Sequence, residues 1–386
     1  MAGVEIIEVV KRSQLKEFVH FPMRLYADCP NYVPPLIADE MDTFSRDRNP
    51  VYETADAKVF LAVRGSETVG RIAGIISHTA NGKFGTKNVR FGWFDSIDDH
   101  AVAEVLFDAV ERWGKSQGME TITGPQGFNQ FAKVGMLTEG FECLATMATY
   151  YNYPYYNDLV TRYGFVKDID YLEYLIRDVS SQELPPHLVS VAEKIRSRGH
   201  FRVLSFPRKK DMIKRANDIF DLLQDTYAEL YGVTPLTPSQ RAYYVKKFFP
   251  FLHEALVKVA VNDRGEMVGF FIAMPNLSQA LRKARGRLFP FGFIHLWRAA
   301  RGGTKVLDLC LAGVRKHSRG RGVDLLMATE LKKTILEMGF EQAEAYPELE
   351  TNHAVQAEWK PFDSVQHKRR RVYKKVIGRK DGFAGA

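Results

Sequence analysis

Residues 314–324 read VRKHSRGRGVD, after the apolar run TKVLDLCLAG and before VDLLMATELKKTILEMG, whose apolar spacing is that of an amphipathic helix. Gly320 and Gly322 have no side chain, so consecutive backbone N–H groups can approach an anion there. The start of the helix adds partial positive charge, and Arg319 and Arg321 add mobile charge. The order of strand, basic glycine loop and helix predicts an anion-binding site. The alternative is a solvated basic turn before an ordinary helix.

The strand and helix around this loop belong to a unit that occurs twice. Residues 59–75, VFLAVRGSETVGRIAGI, and 257–273, VKVAVNDRGEMVGFFIA, alternate apolar residues on both sides of a polar turn, which predicts a β-hairpin in each. The second copy carries extra residues at about 278–304. We therefore predict an α+β fold with two tandem domains, each a mixed, mostly antiparallel sheet flanked by helices. The predicted domains are 1–182 and 183–386, because SSQELPP interrupts both patterns.

The glycine loop resembles the signature of the GNAT superfamily of N-acetyltransferases, in which Arg or Gln, two residues, Gly, one residue and Gly or Ala bind the pyrophosphate of CoA. Asp324 stands where that signature has a small residue. The segments GPQGFN, YNYPYY, NLSQALRKARGRLFPFG and RGRGVD further resemble bacterial two-domain GNAT-like proteins linked to amine acylation, including that of sphingoid bases in ceramide synthesis. The resemblance implies tandem GNAT-like domains, acyl-CoA as co-substrate, no metal, and these cofactor-binding residues: Val314, Arg319, Gly320, Arg321, Gly322, Val323, Asp324 and Asn352.

The matching place in the first copy is occupied by an acidic segment. Residues 95–105 read DSIDDHAVAEV, with three aspartates and no glycine. Such a segment repels a pyrophosphate. We therefore assign the donor site to the second domain and interpret the first as a degenerate copy that shapes the acceptor pocket.

Acyl transfer from a thioester to an amine needs a base for the amine and a proton for the departing thiolate. Glu344 and Glu350, on and just after the last strand of the unit, are the candidate bases. The tyrosine that serves as acid in GNAT enzymes is replaced by Trp359, so the candidate acids are Tyr373, Tyr346 and solvent. The alternative for each is an ordinary surface carboxylate or a tyrosine that packs on the sheet.

The extra residues of the second copy combine aromatic and basic side chains. Between 280 and 301 no acidic residue occurs, and arginines flank the apolar centre LFPFGFIHLW. This composition predicts contact with an anionic membrane surface. The alternative is a lid packed over the acceptor cleft. Both interpretations favour an amphipathic or long-chain acceptor amine.

Composition and charge limit which other functional classes are possible. The chain has 386 residues, a formal net charge of +8 and a pI near 9.2, which fits an anionic ligand as well as nucleic acid or lipid. Three dispersed cysteines and a charged N-terminal segment predict a cytoplasmic protein, or one peripheral on the inner face of the membrane. Cys310 lies in an apolar run and is interpreted as an inert core residue.

Two further functions remain open from the sequence. One is a Fem-like transferase that uses aminoacyl-tRNA, against which the CoA-like loop counts. The other is a sensor that binds acyl-CoA without turnover. Residues 367–375, HKRRRVYKK, are interpreted as an exposed final strand, so no nucleic acid partner is expected.

Overall fold

A computed structural model describes residues 3–378 of the chain, which form two compact units. The first unit comprises the chain up to Leu172, Leu281–Gly292 and the chain from Lys368 onward; the second comprises Glu173–Ala280 and Phe293–His367. Two segments that the limits 1–182 and 183–386 assign to the second domain thus lie in the first unit. The limits themselves stay a prediction for the two repeats.

The first unit is built on strands that run mostly antiparallel. Its helices are α1 (Arg12–Leu25), α2 (Ile37–Thr43), α3 (His78–Phe84), α4 (His100–Ser116) and α5 (Tyr155–Arg162). Its strands are β1 (Val4–Glu8), β2 (Ala55–Arg64), β3 (Glu67–Ser77), β4 (Asn88–Ser96), β5 (Thr121–Gly124) and β6 (Met136–Glu139), with the first part of β7 (Val166–Ile176). Strands β1 to β4 pair antiparallel in chain order, and β4 pairs with β5 in parallel.

The second unit repeats this order. Its strands are β8 (Phe201–Leu204), β9 (Val257–Asn262), β10 (Met267–Pro275), β11 (Val306–Val314), β12 (Gln342–Ala345) and β13 (Glu348–Leu349), followed by β14 (Ser364–Val376), which continues into the first unit. Its helices are α6 (Pro186–Arg198), α7 (Lys209–Lys214), α8 (Ala216–Tyr227), α9 (Pro238–Phe248), α10 (Ser278–Ala284), α11 (Gly292–Arg298), α12 (Val323–Met338) and α13 (His353–Glu358). Strands β8 to β11 are antiparallel, and β11 pairs with β12 in parallel.

Two glycines explain why each long helix lies so close to its hairpin. A Cβ at Gly70 of β3 would lie 2.8 Å from Leu106 Cδ1 of α4, and a Cβ at Gly269 of β10 would lie 2.9 Å from Met327 Cε of α12. A side chain at either position would force these helix side chains to shift, and glycine avoids that. A glycine lies against the long helix at the same place in both units, and the predicted tandem α+β fold is confirmed.

The final strand differs from its prediction. Residues 367–375 do lie in a strand, but Lys368, Arg370 and Tyr373 are buried and not exposed. These positions have partners far away in the chain: the Tyr373 hydroxyl donates to Asn157 Oδ1 at 2.7 Å, and Arg370 donates to the Tyr150 carbonyl. The partly exposed Arg371 donates hydrogen bonds to Asp170 of β7, with its Nε 2.7 Å from Asp170 Oδ1. The pKa of Asp170 is lowered, since these hydrogen bonds outweigh its burial. The basic run therefore forms structural ion pairs.

Candidate functional site

Strand β11 pairs with β12 over only part of its length. Val306 to Leu309 run in register with Gln342 to Ala345, and the N–H of Tyr346 then donates to the carbonyl of Leu309 at 3.0 Å. Opposite β10 the register shifts between Ile272 and Ala273, so that Cys310 is an extra residue on β11. Among the strands within residues 3–378, β11 pairs beyond this bulge with β10 alone, which leaves a free edge from Cys310 to Val314.

Two side chains cover the polar groups of this free edge. The Arg315 N–H donates to Val268 of β10 at 2.8 Å, so by the antiparallel alternation Ala312 and Val314 direct their backbone groups to the opposite side. Tyr227 Oη accepts from the Ala312 N–H at 3.2 Å and donates to the Ala312 carbonyl at 2.9 Å. Arg319 Nε donates to the Val314 carbonyl at 3.0 Å.

The glycine loop has the predicted geometry between β11 and α12. Gly320 and Gly322 have φ angles of 69° and 75°, in the left-handed region that favours glycine, and Gly322 is the residue before the first turn of α12. A Cβ at Gly320 would meet nothing within 4 Å, whereas one at Gly322 would lie 2.2 Å from Ile195 Cδ1. Arg321 lies over the ring of Phe201 at 4.7 Å. The loop therefore brings backbone N–H groups and exposed arginines to one helix start.

The remaining predicted cofactor residues lie around this loop or just after β12. Val323 is buried in the core, and Asp324 is exposed in the first turn of α12. Asn352 precedes α13, and its N–H donates to the Leu349 carbonyl at 2.8 Å. The positions of these residues do not show whether they contact a ligand, so their roles stay predictions.

The corresponding place in the first unit is more tightly packed. A Cβ at Gly92 would lie 2.5 Å from the Gln126 carbonyl oxygen, so the backbone that follows β5 approaches β4 closely there. At the start of α4, Asp99 Oδ1 accepts the Ala101 N–H at 2.8 Å. A carboxylate therefore already accepts an N–H of that helix start, and the assignment of donor binding to the second copy stays a prediction.

Acidic side chains lie on one face of β11 and β12 in the second unit. Asp308 and Glu344 are in register on the two strands, and both are buried. Leu307 and Ala343, their neighbours in sequence, point into the core shared with α12. Because side chains alternate along a strand, Asp308 and Glu344 point away from α12.

Each of the two carboxylates has polar partners. Asp308 accepts hydrogen bonds from Asn276 Nδ2 at 2.7 Å and from Tyr346 Oη at 3.2 Å. Glu344 Oε1 lies 3.3 Å from His367 Nε2. The pKa of Tyr346 is raised by burial and by the charge of Asp308, which makes the phenol a poor proton donor.

The cluster around Glu344 includes a second glutamate. Glu173 is fully buried on β7, where Leu175 pairs with Glu344, so the side chains of Glu173 and Glu344 share a face. One ligand atom from each of Glu173, Glu344 and His367 lies within 4.8 Å of the other two, a spacing that could hold a metal ion. From the sequence we expect no metal, and that stays a prediction.

A further buried carboxylate follows β12. Trp359 Nε1 donates to Glu348 Oε1 at 2.9 Å, and Glu348 Oε2 is buried without a hydrogen-bond partner among the residues described. Burial raises the pKa of Glu348 to about 8, the Trp359 hydrogen bond opposes this, and the charge of Glu358 adds to it. Glu350, the other predicted base, is half-buried.

Tyr373 and Cys310 fit catalytic roles less well. Tyr373 belongs to the first unit, where its hydroxyl donates to Asn157 Oδ1 at 2.7 Å. Burial and the charge of Asp308 raise the pKa of the Cys310 thiol, so it stays protonated and is no activated nucleophile. The role of Tyr373 remains a prediction.

Asp308, Glu173, Glu348 and His367 are absent from the sequence-based candidates. The sequence around Asp308 could have identified it as a candidate, since it is the one charged residue in VLDLCLAGV. His367 had none, because its partner lies on another strand and the residues around it are basic.

Comparison with known proteins places this site in a known fold. The chain is 28% identical over 387 residues, covering 97% of this chain and 98% of the relative, to a protein named bacterial ceramide synthase from Caulobacter vibrioides. It is 28% identical to Protein YghO of Escherichia coli over 373 residues, 95% of this chain and 94% of the relative. No family model matches the chain.

Among solved structures, the chain matches a tandem GNAT protein from the clavulanic acid biosynthesis pathway. The TM-score is 0.57 at 12% identity, over 98% of this chain and 100% of that one. The chain therefore has the tandem GNAT fold that the sequence resemblance implies.

Proposed function

We propose that this chain, with its tandem GNAT fold, is an acyl-CoA-dependent N-acyltransferase whose donor site lies in the second unit. The observation that carries the proposal is the free edge of β11, which leads into a loop of two left-handed glycines and exposed arginines at the start of α12. Such a loop suits a pyrophosphate, and a free strand edge suits the amides of the pantetheine arm.

The acidic face of β11 and β12 supplies the acid–base groups. The amine nitrogen attacks the thioester carbonyl, a C–N bond forms, the C–S bond breaks and its electron pair leaves on sulfur. An acceptor that arrives as an ammonium ion has first given one proton to Glu344, directly or through water, and His367 Nε2 lies 3.3 Å from that carboxylate. After the attack the nitrogen loses its second proton to solvent. Asp308, fixed by Asn276, maintains the negative potential that favours a cationic acceptor before it is deprotonated.

The acceptor is proposed to be an amphipathic or long-chain amine such as a sphingoid base. The relative named ceramide synthase supports this choice, as does the segment that follows α10. Phe289 and Phe291 are 79% and 69% exposed there, and Trp297 of α11 is 55% exposed with Arg301 4.9 Å from its ring. Exposed aromatic residues among arginines suit an anionic lipid surface, where a long-chain amine resides.

The part of residues 280–301 around Gly286 packs against other residues of the first unit. The Ile37 N–H donates to the Gly286 carbonyl at 2.9 Å, and a Cβ at Gly286 would lie 2.5 Å from the Pro35 carbonyl oxygen. No helix within residues 3–378 is long and apolar enough to cross a membrane. We propose a cytoplasmic protein that reaches the inner membrane face through residues 280–301.

Thiol release tests the proposed reaction. Acetyl-CoA and palmitoyl-CoA are each combined with polar amines and with one long-chain amino alcohol, and free CoA thiol is followed. Release with palmitoyl-CoA and the amino alcohol is expected. Release with polar amines alone would contradict the acceptor class, and binding of CoA without any release would indicate a sensor.

Gly322→Ala is expected to weaken CoA binding about tenfold, because a Cβ on left-handed backbone distorts the loop and displaces its N–H groups. Gly265→Ala is the matched control, since Gly265 has a φ of 79° in the β9–β10 turn and nothing lies within 4 Å of its added Cβ. Calorimetric titration with CoA measures both variants. An equal loss of affinity in both would show that backbone strain, and not the loop, is responsible.

Tyr227→Phe is expected to tighten acyl-CoA binding about three- to tenfold. The Tyr227 hydroxyl occupies the N–H and carbonyl of Ala312 that the pantetheine arm needs, so its removal frees both groups. Tyr243→Phe serves as control, because Tyr243 lies on α9 and its ring contacts Tyr244 and Lys247 of the same helix. The prediction is wrong if Tyr227→Phe binds acyl-CoA more weakly than the wild type does.

A further inference from the structure

We propose that Glu348 is the general acid that protonates the departing CoA thiolate, an inference that rests on the acyl transfer proposed above. Its carboxyl group has one oxygen held by Trp359 and the other buried with no hydrogen-bond partner among residues 3–378. A buried, unpartnered oxygen is costly as an anion and much less so as a hydroxyl. The environment therefore favours the protonated carboxyl.

Glu348 lies beside the free edge of β11. Tyr346, two residues before Glu348, donates its backbone N–H to the Leu309 carbonyl at 3.0 Å, at the point where β12 stops pairing with β11. The free edge of β11 begins at the next residue, Cys310. Glu348 therefore lies within two residues of the place where β11 and β12 diverge and the thioester would enter.

With this assignment, every proton that is lost or gained in the reaction is accounted for. When the C–S bond breaks, its electron pair stays on sulfur, and the Glu348 proton moves to that sulfur to give the free CoA thiol. The carboxylate left behind regains a proton from solvent, which has received the proton lost by the amine. No co-reactant beyond acyl-CoA, amine and water is needed.

The other acids near the site are less suited to this step. The Tyr346 hydroxyl already donates to Asp308, whose charge with burial raises the pKa of that phenol well above its ordinary value. The pKa of Glu348, raised to about 8 by burial, leaves it protonated at neutral pH yet able to release its proton.

The pH dependence of kcat tests this role. A general acid must be protonated, so the wild-type rate should fall as pH rises through about 8. Glu348→Gln keeps an oxygen for Trp359 but has no proton to give. At pH 7 its kcat is expected to fall about thirtyfold, less than is usual for general acids because a thiolate leaves readily, and the descending limb should disappear. The KM for acyl-CoA should not change.

Two neighbouring variants should move the descending limb in opposite directions. Trp359→Phe removes a hydrogen bond that lowers the pKa of Glu348, so the limb should move to higher pH. Glu358→Gln removes a charge that raises this pKa, so the limb should move to lower pH. Glu337→Gln, at an exposed position of α12, is the control and should leave the profile as in the wild type.

The outcomes separate this proposal from the function on which it rests. A wild type that releases no thiol from any acyl-CoA and amine overturns both. A wild type that releases thiol, with Glu348→Gln showing the same kcat and the same descending limb, overturns the role of Glu348 alone. Opposite shifts in the two neighbouring variants support it even if Glu348→Gln folds poorly.

Discussion

Glu344→Gln is expected to slow acyl transfer by a factor of about 10² to 10⁴, the range in which general acid–base groups contribute. Glu344 is buried on β12 beside Asp308, at the end of the paired part of β11 and β12, and its carboxylate lies 3.3 Å from His367 Nε2. Glutamine keeps the size and the polarity of the side chain but cannot accept the proton of the amine. Thiol release at saturating acyl-CoA measures the effect.

Glu341→Gln is the matched control for this prediction. Glu341 precedes β12, its side chain is 62% exposed, and it pairs with Lys305 at 3.4 Å. An exposed ion pair of this kind contributes little, so activity should be unchanged. The Glu344→Gln defect should also shrink as pH rises, because more of the amine is then already neutral. A defect that is equal at all pH values would assign a structural role to Glu344 and make Asp308 the candidate base.

Local signals explain which parts of the fold the sequence could predict. Gly70 and Gly269 stand at matching places in two hairpin patterns, and each makes room for a long helix, so the repeat was visible in the chain. The loop could also be predicted from the sequence, because Gly320 and Gly322 lie between the strand and the helix that they join. These features depend on neighbours within about one turn or one hairpin.

The parts that could not be predicted depend on partners far away in the chain. The basic run 367–375 resembles a solvated face until Asp170 is known to accept from Arg371, a residue 201 positions later. Tyr227 covers Ala312 across 85 positions. The acidic cluster joins Glu173, Glu344 and His367 from three strands, so its charge is paired only after the sheet has formed.

Replacing both Phe289 and Phe291 by serine is expected to weaken binding to anionic vesicles by about 10²-fold or more. The two rings are 79% and 69% exposed, and moving a phenylalanine from water into lipid contributes about 1.5 to 3 kcal/mol. Co-sedimentation with vesicles of phosphatidylglycerol and phosphatidylcholine measures the partition. Phe84→Ser is the control, because Phe84 is 43% exposed on α3, outside residues 280–301.

Charge and aromatic surface should act separately in this binding. Arg285→Gln with Arg287→Gln should weaken binding to the anionic vesicles by roughly 1 kcal/mol for each charge and leave binding to pure phosphatidylcholine unchanged. The phenylalanine variant should lose affinity for both kinds of vesicle, because apolar burial does not depend on the headgroup charge. If neither variant changes the partition while the phenylalanine variant raises the KM for the long-chain amine, the segment is a lid over the acceptor and not a membrane contact. Since a lid buries its aromatic residues against the substrate, that outcome would also place the exposed rings within reach of the amine's alkyl chain.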